Sequence, residues 1–110
     1  MFRLVLTLVF IFSFTSLSFA DEKVKSYYFG ATWCPPCKKM KYLFKDKEVA
    51  KELSKFDFQI YDIDKSPEVK KKYRITKIPT LIFINKEKQT RHVGSMSKQQ
   101  LLKILSEQIK

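Results

Sequence analysis

The chain has 110 residues, 45% of them hydrophobic, with 22 Lys and Arg against 11 Asp and Glu, a net charge of +11. This length holds one domain rather than several. A basic excess can serve nucleic acid, an acidic partner or an anionic membrane surface. Here the lysines are scattered along the whole chain, with no Arg cluster and no Gly-rich basic loop, so a solvated lysine surface is expected and no nucleic-acid partner.

The amino terminus opens with Met1-Phe2-Arg3, runs apolar from Leu4 to Phe14 apart from Thr7 and Ser13, and reaches Ser18-Phe19-Ala20 before the charged Asp21-Glu22-Lys23. This is the pattern of a secretory signal peptide over residues 1–20, leaving 21–110 as the folded domain and the periplasm or cell envelope as its place. An uncleaved N-terminal membrane anchor is the alternative, since the run approaches the roughly 20 residues that span a bilayer.

Val24 to Phe29 is short, aromatic and β-prone, and reads as a strand. Pro35 and Pro36 suit the first turn of a helix, where a missing N–H costs little, and Met40, Leu43 and Phe44 follow at helical spacing. Lys45-Asp46-Lys47 breaks that helix, and Asp46 caps a second segment carrying Val49, Ala50, Leu53 and Phe56. Phe56 to Ile63 alternates and reads as a strand. Ser66 is a cap followed by Pro67 at the first position of a short helix to about Tyr73.

Ile78 to Ile84 is an apolar run entered by Pro79 and reads as a buried strand. Asn85 to Gln89 supplies a turn and Thr90 to Val93 a return strand. Ser97-Lys98-Gln99-Gln100 is a capping-box pattern, and Leu101, Leu102, Leu105 and Ile109 form the stripe of a last helix. The two glycines, Gly30 and Gly94, are expected to meet backbone requirements, and His92 to be a surface strand residue. The expected fold is α/β, a four-stranded mixed sheet with helices on both faces.

Both cysteines, Cys34 and Cys37, lie in Trp33-Cys34-Pro35-Pro36-Cys37. Their spacing allows a small disulfide that opens and closes. Such a loop restrains little of the unfolded chain, so a structural staple is a weak reading. Two thiolates with only His92 elsewhere make a poor zinc set and no metal site is expected, although Cu(I) matches on softness.

In the same order along the chain, Phe29 to Lys38, Tyr61-Asp62-Ile63-Asp64, Tyr73 to Thr80 (with Ile78-Pro79-Thr80) and Val93-Gly94 resemble the landmarks of the thioredoxin superfamily. The resemblance spans residues 21–110. Phe44 to Val49 is similar to the kinked helix of thioredoxin-like domains in periplasmic thiol:disulfide interchange proteins. It implies a minimal thioredoxin-like fold, because Asp21 to Trp33 leaves no room for the family's first strand and helix. It also implies a cis peptide bond before Pro79. In one respect the chain departs from the family. A buried Asp stands six residues before the first cysteine in thioredoxins, with a Lys on the neighbouring strand. Here those positions are Tyr28 and Ile60, so the usual proton acceptor is missing, and a tyrosine with a pKa near 10 is a poor base.

The resemblance implies an exported thiol:disulfide oxidoreductase that needs no cofactor. Cys34 is the attacking thiol and Cys37 resolves the mixed disulfide. Pro35 and Pro36 form the active-site turn and withdraw two N–H donors, leaving that of Cys37 to face Cys34. Trp33, Ile78, Val93 and Gly94 form an apolar rim, and the backbone flanking Pro79 at Ile78 and Thr80 pairs with an extended substrate. The expected partners are protein disulfides and dithiols, with a membrane thiol donor supplying electrons to a monomer. Reduction of envelope proteins is the expected direction. The alternatives are a disulfide oxidase or isomerase, or a non-catalytic Cu(I)-carrying or adaptor module.

Overall fold

The computed structural model describes residues 23–109. The expected signal peptide over residues 1–20 lies outside the described residues. The elements are β1 (Lys25–Gly30), α1 (Pro35–Phe44), α2 (Lys47–Leu53), β2 (Asp57–Asp62), α3 (Pro67–Lys72), β3 (Thr80–Asn85), β4 (Lys88–Val93) and α4 (Lys98–Gln108). The sheet order is β2-β1-β3-β4. The β1–β2 pair is parallel, with Tyr28 opposite Ile60. The β1–β3 and β3–β4 pairs are antiparallel, with Tyr28 opposite Leu81 and Thr80 opposite Val93. This is the expected four-stranded mixed sheet.

The period of two along each strand sorts its side chains between two cores. Tyr28, Leu81 and Phe83 face one side, where Met40 and Phe44 of α1, Val49 and Leu53 of α2, and Leu101 and Leu105 of α4 cover them. Phe29 and Ile82 face the other, against Ile75 and the α3 residue Val69, with Tyr27, Tyr61 and Tyr73 around them. Helices therefore lie on both faces. Each large side chain with no exposure, such as Phe83 or Leu101, contributes about 1.5–3 kcal/mol. These apolar layers, rather than the small Cys34–Cys37 loop, hold the fold.

Asp46 caps α2 as expected, its Oδ1 accepting from Glu48 N–H at 3.0 Å and Val49 N–H at 3.2 Å. Ser97 caps α4 through a complete capping box with Gln100. Several expectations change. Ser66 occupies the cap position of α3 without a side-chain hydrogen bond. Ala50 is exposed, and Phe56 is buried beyond the end of α2. The strand expected from Ile78 begins at Thr80, after the proline that cannot donate to the ladder. Ile60 is 48% exposed because β2 is the sheet's outer strand, and Ile109 follows the last helical turn into solvent.

His92 is a further correction. It lies opposite Leu81, on the face that α4 covers, and is half-buried there. Its ring meets Phe83 edge-on with centroids 6.0 Å apart. Its Nε2 is shielded and has no hydrogen-bond partner among the described residues. Burial pushes its pKa down, against the opposing pull of Glu107.

Candidate functional site

Cys34 and Cys37 are joined in a disulfide with Cα atoms 5.2 Å apart. Cys34 is the N-cap of α1, with extended backbone, and Pro35 and Pro36 follow in the first turn. The first N–H groups of a helix lack partners within it. Two of those are absent at the prolines, and the N–H of Cys37 points at the Cys34 sulfur across 3.3 Å. The positive end of the α1 dipole also faces this sulfur, and no acidic residue stands in the first turn to oppose it. The arrangement favours the thiolate form of Cys34 once the disulfide opens. Cys34 is 4% exposed and Cys37 fully buried, so of the two residues only Cys34 reaches the surface.

Pro35 and Pro36 are exposed at the turn. Trp33 is 63% exposed, and its indole Nε1 donates to Asp64 Oδ2 at 2.9 Å. The Ile78–Pro79 peptide bond is cis. Ile78 packs against the core cluster that holds both cysteines, while Pro79 and Thr80 are buried. The Thr80 hydroxyl donates to the Lys77 carbonyl. Gly94 adopts φ +99° and donates its N–H to the Pro79 carbonyl at 2.8 Å. Its neighbour Val93, paired with Thr80, is 54% exposed. The structure thus joins the Pro79 segment to the end of β4, and places Ile78 against the cysteine cluster.

Tyr28 lies beneath the first turn of α1 with no exposure. Its hydroxyl donates to the Cys37 carbonyl at 3.1 Å, and its ring meets Phe44 edge-on at 4.9 Å. Burial pushes its pKa up to about 12, so near neutral pH this side chain is a donor and not a base. Gly30 answers to this tyrosine rather than to a backbone angle. A Cβ at Gly30 would stand 2.8 Å from the Tyr28 hydroxyl oxygen. Sequence reasoning gave no role to Asp64 and missed the Tyr28–Cys37 bond. The signal for the second was present, since a tyrosine in a core strand needs a partner for its hydroxyl.

Residues 15–107 match the family model described as Thioredoxin. A thioredoxin of Rickettsia bellii is 34% identical over 102 residues, covering 86% of this chain and 95% of that one. A thioredoxin of Mycoplasmoides gallisepticum is 35% identical over 78 residues, covering 70% and 76%. Among solved structures, Fasciola hepatica thioredoxin aligns with a TM-score of 0.66 at 28% identity, covering 79% of this chain and 82% of that one. Chloroplastic thioredoxin z aligns at 0.68 with 25% identity, covering 81% and 80%. The chain belongs to the thioredoxin family, and its Cys34–Cys37 pair makes it a thiol:disulfide oxidoreductase.

Proposed function

We propose that this oxidoreductase works as an exported reductase of protein disulfides in the cell envelope. The observation that carries the direction is that one N–H among the described residues, that of Cys37, meets the Cys34 sulfur. A dithiol becomes a strong oxidant when its reduced form is heavily stabilised. One donor, with two more withdrawn by Pro35 and Pro36, supplies little of that stabilisation and favours a reducing pair.

In the reaction, the Cys34 thiolate attacks one sulfur of a substrate disulfide. That bond breaks, and the leaving sulfur departs as thiolate and takes a proton from water. Cys37 then gives its proton to water and attacks Cys34, releasing the second substrate thiol. The substrate gains two electrons and the Cys34–Cys37 pair is oxidised. A membrane thiol partner returns the electrons, and the monomer is the working form. Trp33, Ile78, Val93 and Gly94 provide the apolar rim, while the main chain at Ile78 pairs with the substrate strand, that of Thr80 being taken up by its neighbours Phe29 and Val93 in the sheet. Export rests on the N-terminal sequence pattern, and mature protein beginning at Asp21 in an envelope fraction tests it.

Equilibration with glutathione tests the direction. A potential at or below about −220 mV is expected, and one near about −120 mV, in the range of strong oxidants, overturns it.

A further inference from the structure

Cys37 is held at both ends of its main chain. Its N–H faces the Cys34 sulfur at 3.3 Å, and its carbonyl accepts from the Tyr28 hydroxyl at 3.1 Å. A carbonyl has two lone pairs, so this bond is compatible with the helical one and adds an anchor from β1. The anchor is rigid. The Tyr28 ring is fully buried and braced by Phe44, and Gly30 leaves free the space its hydroxyl end fills. We infer that Tyr28 is a positioning residue for the nucleophile: by fixing the Cys37 carbonyl it keeps the Cys37 N–H aimed at the sulfur of Cys34. Gly30 belongs to the same device, because a side chain there would press on the hydroxyl. The inference rests on Cys34 being the attacking thiol.

The coupling follows from the prolines. A sulfur at a helix N-terminus can accept from several of the unpartnered first N–H groups, and loss of alignment in one is then absorbed by the rest. Here the Cys37 N–H is the one hydrogen-bond donor to the Cys34 sulfur among the described residues, so its aim sets how well the thiolate is stabilised. The titratable and charged groups on the elements packed against Cys34 are Cys37, Lys38, Lys39 and Lys41 on α1, Tyr28 on β1 and Asp64 bonded to Trp33. Tyr28 aside, they stay unchanged in the variants below.

The experiment measures the pH dependence of Cys34 alkylation by iodoacetamide in the reduced protein, for wild type, Tyr28→Phe, Gly30→Ala and the double variant. Tyr28→Phe is expected to cut the thiolate fraction below the midpoint by about three- to tenfold, the effect of one net hydrogen bond. Gly30→Ala should act in the same direction, and the double variant should fall no further than Tyr28→Phe alone. An unchanged alkylation midpoint in folded Tyr28→Phe overturns the inference and leaves Tyr28 as core packing. If that variant does not fold, an unchanged midpoint in folded Gly30→Ala overturns it equally. Alkylation needs no turnover, so this result is separate from the reductase reading, which stands or falls on the potential of the wild-type pair against glutathione.

Discussion

The indole of Trp33 is tied to the carboxylate of Asp64 by a hydrogen bond of 2.9 Å. The bond joins the residue before Cys34 to the loop after β2, and holds a large apolar side chain out in solvent. Asp64 is itself shaped by a local turn, in which its N–H donates to Asp62 Oδ1 at 2.9 Å. Asp64→Ala is expected to lower the fluorescence anisotropy of Trp33, the one tryptophan of the chain. Both partners are exposed, so urea unfolding should show a loss below about 1 kcal/mol. A larger loss would mean that the bond holds the loop and not the ring.

Cys34→Ser should reduce insulin reductase activity by about a thousandfold or more, as loss of a nucleophile does. Cys37→Ser should leave the first attack intact and accumulate a covalent adduct of Cys34 with the substrate, visible by mass spectrometry under non-reducing conditions. Turnover retained in Cys34→Ser would overturn its assignment as nucleophile.

Gly94 holds φ at +99° while donating to the Pro79 carbonyl. No atom crowds the position a Cβ would take, so the cost of a side chain there is backbone strain alone. Gly94→Ala is expected to destabilise the fold by about 1–3 kcal/mol in urea unfolding. It should also raise KM for insulin, because the Pro79 segment loses its tie to β4.

Asp46 caps α2, and Lys98 of α4 reaches its Oδ2 at 3.2 Å and Glu48 at 3.3 Å. The backbone N–H of Val49, then Lys98, hold its carboxyl below the usual value of 3.8. A group with a depressed folded pKa contributes stability that is complete above its unfolded value and fades as pH falls through the folded one. Asp46→Ala should therefore lower Tm by a few degrees at neutral pH. The gap to wild type should close as acid protonates the carboxyl below about pH 4. A gap independent of pH would remove the carboxylate from the explanation.

At alkaline pH the sign reverses. Tyr28 has a folded pKa raised from 10.0 to about 12 by burial. Between those values the native state keeps a proton that the unfolded chain loses, so stability falls as pH rises. Tyr28→Phe should show a shallower decline of the urea midpoint over that window than wild type does.

The strand and helix order was legible because the periodic signals are strong. Met40 and Phe44 or Leu101 and Leu105 repeat at helical spacing, and Asp46 and Ser97 announce their helices by side chains that accept from the first N–H groups that follow them. The cysteine pair and Ile78-Pro79-Thr80 were legible as motifs. What stayed hidden is set by neighbours distant along the chain. Gly30 is a glycine because of the ring end of Tyr28, a contact that no φ preference reveals. His92 alternates with exposed neighbours like a surface residue, and becomes half-buried only when α4 crosses its face. Ile60 looks like core by alternation and is exposed by its place on the outer strand. Asp64 carries no pattern of its own, and its use depends on where the loop after β2 meets Trp33.

Both cysteines sit inside the same apolar cluster as Tyr28, Met40 and Phe44. Opening the disulfide therefore exchanges one occupant of the core for another, and conformational stability and electron affinity become two legs of one thermodynamic cycle. The difference in unfolding free energy between the oxidised and reduced proteins must equal the difference in potential between this folded pair and the same pair in an unstructured chain, with about 30 mV corresponding to about 1.4 kcal/mol. Paired denaturation curves can thus serve as an electrode, and any core substitution that favours one redox form over the other retunes the pair without touching a sulfur.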